Sequence, residues 1–395
     1  MKKLVLLAIS AFFVTSCSVQ KQPEIESINV SADFSKKTSD FAFDFWKAYE
    51  KENGESYFLS PLSLNIALGM LLNGAEGETK REIQEVLGFS DSDLATINAS
   101  YTEIISKLPA IDPKVTNLAA NSVWHDQAFS VKQAFLSDLK TSFSAQIFSE
   151  DFSNTATVNK INQWAGNHTN DKIKTVLEKI EPHQVLFLLN ALYFKGDWTQ
   201  QFDEKQTSKA NFTGENKTSE QDFMYAQEEF AYAANNEFSV LELPYGNEKY
   251  AFVALLPKEG TVSDLIAGLN GEKWNAALQS LKKQKVEVAL PKFQMETSKG
   301  LGEVLKRMGI KRAFTDAAEL GKISDSGDLF VDMVKQDTYL SVDEKGSEAA
   351  AVTTIGVGVT SVPSYPVFRC DKPFVFAIVE KTSNTIQFIG KVADL

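Results

Sequence analysis

Between Glu348 and Arg369 the chain runs through twenty residues without a single charge, from Ala349 to Phe368. The stretch opens on three alanines, continues in valine, threonine and glycine, and follows a strand pattern over Leu329–Val342 and an Asp343-Glu344-Lys345-Gly346 turn. A second strand pattern, Phe374–Val379, comes after it. Its position is that of a loop, and a connection this long is uncommon in a compact domain unless it is functional. Its composition is that of a strand. With a two-residue period, one face carries Ser347, Ala349, Ala351, Thr353, Ile355 and Val357, and the other Glu348, Ala350, Val352, Thr354, Gly356 and Gly358. The first face is small or apolar throughout. The segment reads as a spare strand, able to stay a loop and able to enter a sheet; an ordinary core strand is the competing reading.

The rest of the chain supplies sheets for it to join. Apolar residues recur at helical spacing over 34–51, and Ser60-Pro61 opens a second helix with an N-cap and a first-turn proline, ending at Asn73-Gly74. A third helix over Glu78–Leu87 closes on Gly88, and a fourth covers Asn154–His168. Val185–Phe194 is nearly continuously apolar, as expected of a strand buried on both faces. From residue 220 strand patterns dominate: Phe223–Tyr232, Ser239–Leu243, Tyr250–Leu256, Lys285–Leu290, Leu329–Val342, Phe374–Val379 and Thr385–Val392. Helices early and strands late predict a large α+β domain built around sheets.

The N-terminus bears on compartment. Lys2 and Lys3 precede an apolar run, Leu4–Val14, that ends in Thr15-Ser16-Cys17. A basic start and a short apolar core describe an export signal, since a spanning helix needs roughly 20 apolar residues. The ending resembles a bacterial lipobox, which makes residues 1–16 a signal peptide and Cys17 a lipidated N-terminus. Residues 17–31 then read as a tether and 32–395 as the domain. The expected location is the cell envelope, held to the outer membrane or cell surface by the lipid on Cys17.

Composition excludes several function classes. About 375 residues with 43% hydrophobic content suffice for a large core. A net charge of −12 argues against binding a nucleic-acid backbone. Cys370 has no second cysteine to pair with once Cys17 is lipidated, so no disulfide framework is expected. The three histidines, His125, His168 and His183, stand in no metal-binding spacing, and no nucleophile elbow or phosphate loop occurs. No metal, no cofactor and no catalysis by this chain are expected.

Four separated stretches, in order, carry a family resemblance. Phe58–Thr79 resembles the second and third helices of the serpins, and Asn190–Trp198 resembles their central-strand motif. Asp343–Ala351 resembles the inhibitory hinge, and Phe368–Phe376 the C-terminal signature. The resemblance implies a serpin fold with an exposed reactive loop, and a monomeric inhibitor cleaved once by its target. The protease forms an acyl-enzyme on the loop, whose hinge then inserts into the main sheet and distorts the trapped enzyme.

It also implies residue roles. Glu344, Gly346, Ser347, Ala349, Ala350 and Ala351 form the hinge. Ser60, Ser63 and Asn190 correspond to the shutter beneath the opening sheet and Trp198 to the breach where insertion begins. Gln336 stands where the family usually has a shutter histidine. Spacing from the hinge glutamate puts the scissile bond at Thr360-Ser361, while counting back from Pro373 favours later positions; Val359 and Val362 are the neighbouring alternatives. All four are small and uncharged, and no Arg or Lys lies between 349 and 368. The expected targets are elastase-like or subtilisin-like proteases with small apolar pockets, and papain-like cysteine proteases beyond them. A non-inhibitory serpin serving as a surface binding protein is the alternative.

Overall fold

The structure, a computed structural model, describes residues 27–327, 329–347 and 365–395. Cys17, the hinge residues Ala349, Ala350 and Ala351, and the bait residues Val359, Thr360, Ser361 and Val362 lie outside them.

Two sheets and nine α-helices make up the described residues. The larger sheet has nine strands. It runs from β1 (Tyr57–Leu59) through β15 (Thr385–Val392), β14 (Phe374–Glu380), β8 (Tyr250–Pro257), β7 (Phe238–Tyr245), β6 (Thr218–Ala234) and β9 (Lys282–Pro291) to β13 (Val367–Arg369), with β5 (Ser208–Thr213) on β6. Its centre, β8, β14 and β15, is buried at every position, which is why those segments read as unbroken apolar runs. The six-stranded sheet runs β10 (Phe293–Gly300), β11 (Lys335–Val342), β12 (Gly346–Ser347), β4 (Leu186–Asp197), β2 (Val115–Asp126) and β3 (Gln146–Glu150).

Helices cover the sheets as the sequence pattern predicts at the N-terminal end. The side chain of Ser31 caps α1 (Ala32–Glu50), and Phe34, Phe41, Phe45 and Tyr49 bury one face. Packing reaches upstream of Ala32: Ile28 is buried, and its amide donates to Thr382 Oγ1 at 2.9 Å. Helix α2 (Pro61–Gly74) is apolar nearly all round and sealed within the core, capped by Ser60. Helix α3 (Gly77–Leu87) stops at Gly88, whose φ of 78° is the left-handed conformation glycine adopts freely. Helices α4 (Leu94–Lys107) and α5 (Gln133–Phe143) follow, then α6 (Ala156–His168), which lies on the outer face of the six-stranded sheet. Helices α7 (Val262–Gly268), α8 (Gly271–Ser280) and α9 (Gly302–Met308) fall among the later strands, and β2 to β4 among the early helices. The division into early helices and late strands is therefore only partial.

Two strand expectations need correction, for one reason. The pattern over Leu329–Val342 forms a strand only from Lys335, and Phe330 and Met333 stay 39% and 43% exposed. In β4, Ala191–Phe194 are buried but Leu186–Asn190 only partly so. Both segments border a gap in the six-stranded sheet. Strands β4 and β11 are joined through the two residues of β12 and not to each other.

Candidate functional site: the hinge and its cleft

The hinge starts at a tight turn. Asp343 and Gly346 exchange backbone hydrogen bonds at 3.0 and 3.3 Å, and the Asp343 carboxylate accepts from Lys345 N at 2.9 Å. Gly346 then sits at φ 154°, where a Cβ would lie 2.1 Å from Gly196 O. Only glycine fits this seat. It allows Gly346 to pair with Asp197 and Ser347 with Gly196, while Ser347 also pairs with Val342 of β11.

The neighbours of the turn hold it from three sides. Trp198 Nε1 donates to Asp343 O at 2.9 Å, Trp198 N to Lys345 O at 2.8 Å and Phe202 N to Glu344 O at 2.9 Å. The Trp198 indole stacks on Tyr245 at 4.4 Å, and the Tyr245 hydroxyl lies 2.6 Å from Ser347 Oγ. Ser347 is 1% exposed, so this hydrogen bond satisfies a hydroxyl that would otherwise be buried alone. Burial pushes the Tyr245 phenol far above its ordinary value.

Glu344 is buried, with Lys292 Nζ at 2.9 Å from one oxygen and Thr207 Oγ1 donating to the other at 2.7 Å. Burial raises its pKa, but the Lys292 and Thr207 hydrogen bonds outweigh it and hold the carboxyl below the ordinary value. A depressed folded-state pKa stabilises the anchored hinge above the unfolded carboxylate value, about 4.3, and that contribution is lost as pH falls through the lower folded value. Amide protection at Ser347 and Gly196, exchange measured relative to the intrinsic rate at each pH, should fall on acidification through this window in the native chain, and Glu344→Gln should flatten that acid step. An unchanged acid step in Glu344→Gln would assign it to another group.

Beyond Ser347 the gap widens into a cleft of about 240 Å³. Leu64, Leu68 and Leu71 of α2 form its floor, Trp164 of α6 and Val176 its roof, and β4 and β11 its sides. The predicted shutter residues meet at the floor. Ser60 Oγ accepts from Ser63 N at 3.1 Å and donates to Gln387 O at 2.7 Å. Gln336 clasps the Ser60 backbone, accepting from its N–H and donating to its C=O, both at 2.9 Å. An amide side chain has a donor and an acceptor at one tip, so Gln336 satisfies both groups without titrating near neutrality. Asn190 Nδ2 donates to Asn121 Oδ1 at 2.7 Å, but Asn190 Oδ1 is buried without a partner. Ser60, Ser63, Asn190 and Gln336 all line this one cleft, and Trp198 stands at its other end with Glu344, Gly346 and Ser347. Sequence patterning gave no sign of Lys292, Thr207, Tyr245 or Asn121, because single polar residues on strands or in the connections between them carry no periodic signature. Among the described residues no group of three or more His, Cys, Asp or Glu could hold a metal ion.

Comparison with known proteins agrees with this arrangement. Residues 36–395 match the family model for serpin, serine protease inhibitor. An uncharacterized serpin-like protein of Thermococcus kodakarensis is 31% identical over 379 residues, 94% of this chain and 86% of that protein. The native state of tengpin, a thermophilic serpin, superposes with a TM-score of 0.86 at 31% identity, covering 95% of this chain and 97% of tengpin. Human thyroxine-binding globulin superposes with a TM-score of 0.84 at 27% identity, covering 92% and 99%. The family consists in general of protease inhibitors, with some non-inhibitory members. One family model spans both sheets and the hinge between them, and the protein is a serpin.

Proposed function

We propose that the protein is a single-use protease inhibitor. The observation that carries this reading is the hinge: Gly346 and Ser347 are paired between β4 and β11, and the cleft ahead of them is open. In the proposed reaction the protease serine attacks the Thr360 carbonyl carbon, and its proton passes through the protease's own base to the Ser361 nitrogen. An ester to Thr360 forms as the Thr360-Ser361 peptide bond breaks. The freed strand follows the register already begun at Ser347. In that register Ala349 lies between Phe194 and Leu340, Ala351 between Leu192 and Thr338, and Thr353 between Asn190 and Gln336. The Thr353 hydroxyl would reach the Asn190 oxygen that lacks a partner. Val357 would meet Leu186, the first residue of β4.

The proposed targets are elastase-like or subtilisin-like proteases, papain-like cysteine proteases being a further class, on a monomeric inhibitor lipid-anchored to the bacterial envelope through Cys17. Incubation with an elastase tests the function. The expected products are an SDS-stable covalent complex and a released peptide beginning at Ser361, with no such complex from trypsin. Clean cleavage with protease activity fully retained would overturn it in favour of the second reading, a non-inhibitory binding protein. The likeness to thyroxine-binding globulin favours that reading. The small, uncharged hinge from Ser347 to Thr353, apart from Glu348 on the outward face, favours trapping.

A further inference from the structure

The chain joins the domain at a fixed point beside α4. Ile28 is buried, and its amide donates at 2.9 Å to Thr382 Oγ1 in the turn between β14 and β15. The next amide, Asn29 N, donates to Glu103 Oε1 of α4 at 2.7 Å, and Lys107 Nζ holds the same oxygen at 2.6 Å. Ser31 then caps α1. Cys17 stands ten residues before Ser27. At about 3.5 Å per residue those steps span at most about 35 Å. A domain of this size has a radius of gyration of about 20 Å, so the path round it to the opposite side is about 80 Å. A lipid on Cys17 can therefore reach the flank that carries α4 and not the far side.

That flank is suited to lie against headgroups. Helix α4 buries Ile97, Tyr101, Ile104 and Ile105, and each of its exposed residues, Ala95, Thr96, Ala99, Thr102 and Ser106, is uncharged. The one acid within the helix, Glu103, is paired with Lys107. The exposed hydroxyls already have partners. Thr96 Oγ1 donates to Asp93 at 2.7 Å, Thr102 Oγ1 to Asn98 O and Ser142 O at 2.9 and 3.0 Å, and Ser106 Oγ to Glu103 O at 3.1 Å. Water can leave this face without stranding a charge or a hydroxyl, and an anionic surface finds no bare carboxylate on it to repel. From this geometry we infer that the α4 flank is the face this protein turns to the membrane, resting on the headgroups while the lipid supplies the hold. The inference rests on the lipid anchor at Cys17. It adds an orientation, so that the hinge and β13 meet proteases in one attitude to the membrane.

The test uses the full lipidated chain on vesicles of phosphatidylethanolamine and phosphatidylglycerol that carry an acceptor dye. Cys17 is acylated and Cys370 is buried, so the thiol introduced by Ala99→Cys or Lys51→Cys takes the donor dye alone. Lys51 follows the far end of α1, about 30 Å from Ser31. Energy transfer to the membrane should be stronger from position 99 than from 51. Adding Ala95→Glu and Ser106→Glu sets two carboxylates against an anionic surface, each disfavouring this orientation about fivefold and the pair about twentyfold. Transfer from 99 should then drop to the level at 51, most of all at low salt. Equal transfer from the two positions without those carboxylates, or transfer from 99 indifferent to them, would overturn the inference. So would a dimer that shields position 99 equally in detergent, because a second copy would then cover the face. Mass spectrometry of the N-terminal peptide separates the two failures. An unacylated Cys17 defeats the anchor reading and the inference with it, whereas an acylated Cys17 with equal transfer defeats the orientation alone.

Discussion

Cleaving the bait loop should raise the melting temperature of the protein by roughly 10–20 °C. The expectation follows from the two bare edges of the six-stranded sheet. A strand entering from Ser347 to Val357 is central, so its amides and carbonyls bond alternately to β4 and β11. About twenty ladder bonds at about 1 kcal/mol net each, with Ile355 and Val357 buried at about 2 kcal/mol each, oppose about 1.5 kcal/mol of ordering cost per residue. The balance is on the order of 10 kcal/mol. Spread over the unfolding entropy of a chain this size, that corresponds to roughly 10–20 °C. Scanning calorimetry of the intact and nicked protein measures it. An unchanged melting temperature after complete cleavage would mean that the strand stays outside the sheet.

Ala351→Glu should abolish trapping while the bait is still cut at the native rate. In the register set by Ser347 the new carboxylate would face the core between Leu192 and Thr338, which are 8% and 5% exposed. Burying an unpaired carboxylate costs several kcal/mol, and every 1.4 kcal/mol is tenfold in an equilibrium. The yield of covalent complex should therefore fall by about a hundredfold or more. Ala350→Glu carries the same charge on the opposite face, beside Tyr339 and the ammonium of Lys172, and should lose far less. The ratio of complex to cleaved product on a denaturing gel reads both. Equal losses at the two positions would show that insertion follows another register.

The difference between those neighbouring positions was legible in the sequence, because alternation of small residues from Ser347 to Val357 needs no coordinates. So were the N-cap at Ser60, the stop at Gly88 and the apolar runs of β8, β14 and β15, where local chemistry and burial agree. The cleft was not legible. Leu329–Val334 has the composition of a strand and lacks only a partner, and no local signal reports a partner's absence. Helix α4 and strand β2 also escaped notice, since threonine, asparagine and alanine blur their periods. Glu344 could be named from the resemblance, but Lys292 and Thr207 reach it from connections far away in sequence, and only the folded chain brings them together.

The seat at Gly346 has a further consequence, for fidelity. Starting a strand is the step at which pairing can go wrong, and here the first two residues are already laid down. What remains is elongation from a fixed end, as a zipper closes once its slider is engaged. A slip of one residue would turn Glu348, Val352 and Thr354 toward the floor and expose Ala349 and Ala351. It would also move a residue bearing a Cβ into the space beside Gly196 O, where only hydrogen fits. On the proposed mechanism each slip would be rejected at the first rung, before an acyl-enzyme could be lost to a misaligned strand.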